Sequence, residues 1–241
     1  MYPSIEFDLG QIEETSNFII AGCDEVGRGP LAGPVVACTV QAESKGLSDY
    51  EDLFLCLCDL GLTDSKKLTK IKRQDILTAL NIDLHKLSTG KKNCVNQLRN
   101  IKLSFFISQV SAEKIEKINI LNASLEAMAN SFNGVFLKNN KTLFLIDGNK
   151  LPSDIPSLVD SKAIVKGDSK SAVIALASVI AKEYRDNLMI GYAKKYPNYG
   201  FEQHSGYPTL KHRLAIEKWG ISPIHRKSFK GVKEYVSRDG Q

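Results

Sequence analysis

Asp24 and Glu25 stand side by side where the apolar run Phe18 to Cys23 ends. Asp147 closes a second run, Leu143 to Ile146, and Asp168 follows a third, Ala163 to Val165. Carboxyl ends of strands are where open α/β sheets build their sites. Four carboxylates gathered there would repel one another at neutral pH and need a counter-charge. A hard divalent ion such as Mg²⁺, bound through oxygen, supplies it and keeps room for water and a substrate phosphate. Two such ions about 4 Å apart can activate a water and stabilise the leaving oxygen in phosphodiester hydrolysis. Any one of these acids could be a solvated strand cap. Three apolar runs each followed by acid favour a shared site, while spacing alone leaves their convergence open.

Other residue groups suit a phosphate-rich ligand. The turn Gly27-Arg28-Gly29-Pro30-Leu31-Ala32-Gly33 follows a strand, but its spacing is wrong for a dinucleotide fingerprint and it leads into Pro34-Val35-Val36, a strand and not a helix N-terminus. Glycines flanking an arginine let backbone approach a ligand while the guanidinium engages phosphate; a tight hairpin turn with a solvated arginine is the plain alternative. Lys66 and Lys67, within Asp64 to Leu68, precede a helix and could contact a phosphate backbone or be a solvated pair. Tyr207, within His204 to Thr209, could stack on a sugar or base, or pack internally. His225 to Ser228 is a basic cluster with the same two readings. Asp186 lies 18 residues after Asp168, about 27 Å along a straight helix, so a shared metal is excluded and a structural acid paired with a nearby base is expected.

These residues need strands and helices to carry them. Phe18 to Cys23 and Pro34 to Val40 read as a hairpin. Thr69 to Leu80 reads as a helix, Leu103 to Val110 as a strand, Ala112 to Phe132 as a helix, and Thr142 to Ile146 and Ala163 to Val165 as strands. Ser169 to Lys195 is alanine-rich and free of proline, which predicts a long buried helix with Asp168 and Ser169 at its cap. Short helices are expected around Leu210 to Trp219, and Asn81 to Lys102 as an exposed excursion. The 241 residues are 43% hydrophobic and 24% charged, enough for a sizeable core and too apolar for disorder. A formal net charge of +5 is compatible with a phosphate-rich partner. Five cysteines, Cys23, Cys38, Cys56, Cys58 and Cys94, form no CxxC pair, which argues against a disulfide framework or zinc site and for a reducing cytoplasm. Neither a signal peptide nor an apolar run of about 20 residues is present, so a soluble protein is expected.

The run Ala21-Gly22-Cys23-Asp24-Glu25-Val26-Gly27-Arg28-Gly29-Pro30-Leu31-Ala32-Gly33-Pro34-Val35-Val36 closely resembles the signature of ribonuclease HII, a type 2 ribonuclease H. Asp64 to Leu68, Ile146 to Asn149, Lys166 to Lys170, Ala177 to Lys182, His204 to Thr209 and His225 to Phe229 follow the same order and spacing, so the resemblance spans about residues 18 to 230. It implies an α/β fold, a ribonuclease H-like mixed five-stranded sheet flanked by helices with a C-terminal helical extension. It implies one catalytic domain over 1–241, with a core at about 18–195 and a helical region at about 196–235. Asp24, Glu25, Asp147 and Asp168 would be the metal-binding carboxylates, with Mg²⁺ or Mn²⁺ as cofactor. Gly27, Arg28 and Gly29 would read the ribose 2′-hydroxyl, the group that distinguishes RNA from DNA. Tyr207 would stack on the sugar at the RNA to DNA junction, and Lys66 would touch the phosphate backbone.

The implied reaction is hydrolysis on the 5′ side of a ribonucleotide in RNA/DNA hybrids or in duplex DNA, leaving 3′-hydroxyl and 5′-phosphate ends. With no substrate-binding domain before Phe18, ribonuclease HIII is disfavoured, and the closing blocks resemble bacterial forms that act alone, so a cytoplasmic monomer is expected. Cys23 where an aliphatic residue is usual, Ser205 where lysine is common, and the longer Asn81 to Lys102 segment depart from the pattern. The alternatives are another nuclease or strand-transfer enzyme of the ribonuclease H-like fold, opposed by the glycine loop and Tyr207, and a non-catalytic hybrid-binding module, opposed by the four acids.

Overall fold

A computed structural model describes residues 3–12, 18–44, 46–95, 100–138 and 141–238. In chain order the elements are α1 (Pro3–Leu9), β1 (Phe18–Val26), β2 (Val35–Ser44), α2 (Leu47–Asp59), α3 (Lys70–Ala79), β3 (Lys92–Cys94), β4 (Lys102–Val110), α4 (Ala112–Val135), β5 (Lys141–Asp147), β6 (Asp160–Ile164), α5 (Ala172–Lys195), α6 (Phe201–His204) and α7 (Leu210–Trp219). Six strands form one mixed sheet in the order β3-β4-β2-β1-β5-β6. The expected hairpin is there: β1 and β2 pair antiparallel, with Val26 opposite Val36 across the glycine-rich turn. β5 joins the other side of β1 in parallel and β6 joins β5 in parallel.

Each face of the sheet is covered, as a sheet with parallel strands requires. On one face Ile20, Cys38, Leu143 and Leu145 pack with Val173 to Ala181 of α5 and with Leu53, Phe54 and Leu57 of α2. On the other, Ala21, Cys23, Phe144 and Ile146 pack with Ala127, Met128 and Phe132 of α4. α5 lies directly on the sheet because Gly22 has no side chain: a Cβ there would stand 2.4 Å from the backbone carbon of Val173. The alanine-rich first half of α5 is accordingly buried on every side.

Several expectations are refined. β1 does not stop at Cys23 but runs through Asp24 and Glu25 to Val26. β6 begins earlier than expected, at Asp160, and Val165 falls outside it, exposed. Ser169 does not cap α5: a 3-10 turn, Gly167–Ser169, intervenes, and Ser171 is the cap, its hydroxyl accepting from the Ile174 N–H at 3.3 Å. The excursion is only partly exposed, since β3 adds a short sixth strand on β4 and Ile82, Val95 and Ile101 enter the core; residues 96–99 lie outside the described residues. α1 and α2 have no counterpart in the sequence reading. α1 docks Asp8, fully buried, on the start of α5, where it accepts from the Ala172 N–H at 2.7 Å.

Candidate active site

Register and pleat decide which acids meet. Cys23 is opposite Ile146 in the parallel β1–β5 pair, so Asp24 and Asp147 are the next residues along neighbouring strands. Both fall on the α5 face, in step with Ile20 and with Leu143 and Leu145, because side chains alternate along a strand. Asp168 arrives from the 3-10 turn after β6, and that turn is tied to Asp147 by a Gly167 N–H bond to its Oδ1 at 2.6 Å. Carboxylate oxygens of Asp24, Asp147 and Asp168 lie within 4.8 Å of one another. Glu25, one residue on within the strand, is not in this group; it pairs with Arg28 at 3.3 Å.

The cluster is electrostatically costly without a cation. Burial, then the charges of Glu25 and Asp147, push the Asp24 carboxyl well above its usual range. Burial and Asp147 also raise Asp168, against the opposing pull of Lys66. Glu25 is raised by burial, opposed by Arg28 and reinforced by Asp147. The Lys66 ammonium lies 3.5 Å from Asp168, but its side chain is 77% exposed, so the pair is loose. Converging, partly desolvated oxygens with so little counter-charge fit a hard divalent cation better than a buried ion pair. Asp24 is held in place by the Glu25 N–H at 2.7 Å and by Ser178 of α5, whose hydroxyl is 2.7 Å from that of Ser65.

The glycine-rich turn beside the acids is fastened from below by two arginines: Arg185, which the sequence does not single out, and Arg226, which the sequence offers only as part of a basic cluster for phosphate or solvent. Arg226 donates to the carbonyls of Gly27, Arg28 and Gly33 at 2.6, 2.9 and 3.0 Å. Arg185 of α5 donates to those of Ala32, Pro34 and Ser205 at 3.1, 3.1 and 3.0 Å. Both side chains are fully buried. Burial, then the neighbouring Arg185, pulls Arg226 down to about 9. With these carbonyls drawn inward, Arg28 and Gly29 are left on the exposed side of the loop. Gly27 takes φ +93°, and a Cβ there would meet the Arg185 Nε at 2.2 Å, so the position admits only glycine.

Tyr207 stands over this loop. Its ring edge would be 3.8 Å from a Cβ on Gly29, the Lys182 ammonium is 5.8 Å from its ring centre, and the residue is 38% exposed. Loop and tyrosine segment are joined by the Leu31 N–H bond to the Gly206 carbonyl at 2.8 Å. Asp186 pairs with Lys182 at 2.8 Å and Arg73 at 3.5 Å, as expected of a structural acid, and is not among the clustered acids; Asp168 precedes α5 in the 3-10 turn, so it is not a straight helix that separates the two. His225 and Arg226 are buried, not a solvated tail. Sequence reasoning missed Ser65, Ser178, Arg185 and Arg226 as supports. Ser178 and Arg185 sit seven residues apart on the buried side of α5, but the second half of that helix also carries Lys182, Glu183 and Asp186, so the sequence alone does not mark the two out.

The chain matches the family model for ribonuclease HII over residues 21–232. It is 43% identical over 218 residues to ribonuclease HII of Chlamydia caviae, covering 90% of this chain and 87% of that one. To ribonuclease HII of Francisella tularensis it is 40% identical over 216 residues, covering 89% and 97%. The crystal structure of ribonuclease H2 from Pyrococcus horikoshii superposes with a TM-score of 0.64 at 23% identity, over 91% of this chain and 98% of that one, a likeness of fold.

Proposed function

The chain belongs to the ribonuclease HII family, and from that premise we propose that Asp24, Asp147 and Asp168, with Glu25 at the rim, hold the divalent cations with which it cuts. It is an RNA/DNA-hybrid endoribonuclease, and the family is metal-dependent. The observation that carries the assignment of residues is the convergence of three acids from three chain segments beside a fastened glycine loop. Mg²⁺ or Mn²⁺ is the proposed cofactor, and bound cations would lower the pKa of a water and neutralise charge on the phosphate and leaving oxygens.

The protein's residues supply position. Asp24 and Asp147 offer oxygens from rigid neighbouring strands, and Asp168 from a turn tied to Asp147. Arg28 is half exposed while Glu25 is largely buried, and release of this 3.3 Å pair would let Glu25 turn toward the cluster. Gly27, Arg28 and Gly29 present backbone where a ribose 2′-hydroxyl would lie, and Tyr207 closes over it to stack on the sugar at the junction. Lys66, exposed beside Asp168, is assigned to the phosphate backbone. Water oxygen adds to phosphorus, the bond to the preceding 3′-oxygen breaks, and that oxygen leaves as a hydroxyl with the 5′-phosphate on the ribonucleotide. The same premise supports one catalytic domain, with a core at about 18–195 and a helical region at about 196–235, acting as a cytoplasmic monomer on hybrids and on DNA duplexes with embedded ribonucleotides. No helix among the described residues is long and apolar enough to cross a membrane.

The test is cleavage of an end-labelled DNA duplex with one embedded ribonucleotide, mapped at nucleotide resolution with Mg²⁺, Mn²⁺ or chelator. A metal-dependent cut 5′ of the ribonucleotide is expected, with Tyr207→Ala impaired. Cutting only of longer RNA stretches would remove the junction reading.

A further inference from the structure

Three buried residues, Ser222, His225 and His212, link the two halves of the substrate reader in a chain of hydrogen bonds that fixes the tautomer of each ring. The Ser222 N–H donates to His225 Nδ1 at 2.8 Å, and the Ser222 hydroxyl lies 2.7 Å from the same nitrogen. As a neutral ring accepting there, His225 must carry its proton on Nε2, which lies 3.0 Å from His212 Nε2. His212 must then accept at Nε2 and carry its own proton on Nδ1, which is 3.0 Å from the Tyr207 carbonyl, an obligate acceptor. An obligate donor at one end and an obligate acceptor at the other leave a single tautomer for each ring. His212 is fully buried and His225 is 2% exposed.

The two rings stand between defined parts of the site. His225 forms a backbone bridge with Ala32 of the glycine-rich turn, and the next residue, Arg226, fastens Gly27 and Arg28. His212 holds the carbonyl of the residue whose ring overhangs Gly29. We propose that His212 and His225 are positioning residues: a neutral two-imidazole relay that sets Tyr207 against the Gly27–Gly29 loop, and through it the preference for a ribonucleotide junction. The proposal rests on the reading of Tyr207 as a substrate contact. Burial, opposed by the bond to Tyr207, lowers His212 to about 4, and burial with the neighbouring ring lowers His225 to about 3, both shifts favouring the neutral rings that the hydrogen-bond chain requires. A third ring, His204, stacks on His212 at 4.6 Å and accepts from the Gly206 N–H at 3.2 Å, steadying the same turn.

A double-mutant cycle separates positioning from packing. His212→Leu fills the space but cannot donate, and is expected to lower single-turnover cleavage of the embedded-ribonucleotide duplex about 10-fold, the worth of one hydrogen bond. His212→Asn, whose amide nitrogen replaces Nδ1, should recover most of that loss. In a Tyr207→Ala background, His212→Leu should have no further effect. An equal loss in both backgrounds, or full activity in His212→Leu, overturns the relay while leaving Tyr207 as a contact. Full activity in Tyr207→Ala removes the contact itself, and the relay with it. Should His212→Leu fail to fold, nitrogen-15 imidazole shifts of the parent protein decide: protons on His225 Nε2 and His212 Nδ1 are expected, and the opposite tautomers overturn the proposal.

Discussion

Replacing Gly22 by alanine should damage both stability and catalysis, by amounts the structure sets. The added Cβ would stand 2.4 Å from the Val173 carbonyl carbon, 2.5 Å from the Ile174 nitrogen and 2.7 Å from the Val173 oxygen. All three are backbone atoms of the first turn of α5, so no rotamer change relieves the overlap. Ordinary contact begins at 3.4 Å, and α5 must therefore retreat by about 1 Å from β1. Overpacking of this kind costs roughly 1–3 kcal/mol, which for a chain of this size lowers Tm by about 2–12 °C. The retreat also acts on the site, because Asp24 is two residues along β1 from Gly22 and Asp168 is five residues before Val173. A ligand misplaced by about 1 Å is expected to cost about 100-fold in single-turnover rate, with weaker metal binding by calorimetry, since Mg²⁺ tolerates little departure from octahedral geometry. Gly191→Ala is the control on the same helix: nothing lies within 4 Å of its Cβ, so it should stabilise by about 1 kcal/mol and cut normally. A Gly22→Ala protein that melts and cuts like the parent would refute the claim that close helix–sheet contact sets the site.

Asp24→Asn should abolish metal-dependent cleavage yet raise Tm in chelator. A carboxyl raised by burial and like charge favours the folded state fully below its unfolded pKa and loses that contribution as pH rises through the folded value; the gain from removing the charge should be present at neutral pH and vanish below about pH 4. Arg226→Met should leave the carbonyls of Gly27, Arg28 and Gly33 without their donor and cost about 3 kcal/mol or more, read by denaturant unfolding, with cleavage of an embedded ribonucleotide falling further than that of long hybrids.

Where signals are local, the sequence was enough. The hairpin announces itself by two apolar runs around a glycine turn, α3 by the Thr69 cap, and Asp147 by the apolar run it closes. Leu47–Asp59 went unassigned because Gly46 offers no side-chain cap and the run Leu53 to Cys58 is as apolar as a buried strand. The separation of Glu25 from the three converging acids depends on β1 continuing to Val26, which no local residue signals. The supporting role of the arginines was hidden for a different reason, with Arg226 readable only as a phosphate-binding or solvated residue: Arg185 reaches Pro34 across 151 residues and Arg226 reaches Gly27 across 199, and pairings so distant in sequence have no spacing to read. His212 and His225 are likewise ordinary basic residues until the fold buries them together.

Whether Asp24, Asp147 and Asp168 form one metal site can be seen in Mn²⁺-soaked crystals measured at the manganese absorption edge. An anomalous peak within about 2–2.5 Å of an oxygen from each of the three carboxylates is the predicted result. A peak bound elsewhere, with the three acids making no contact to it, would remove them from the metal site.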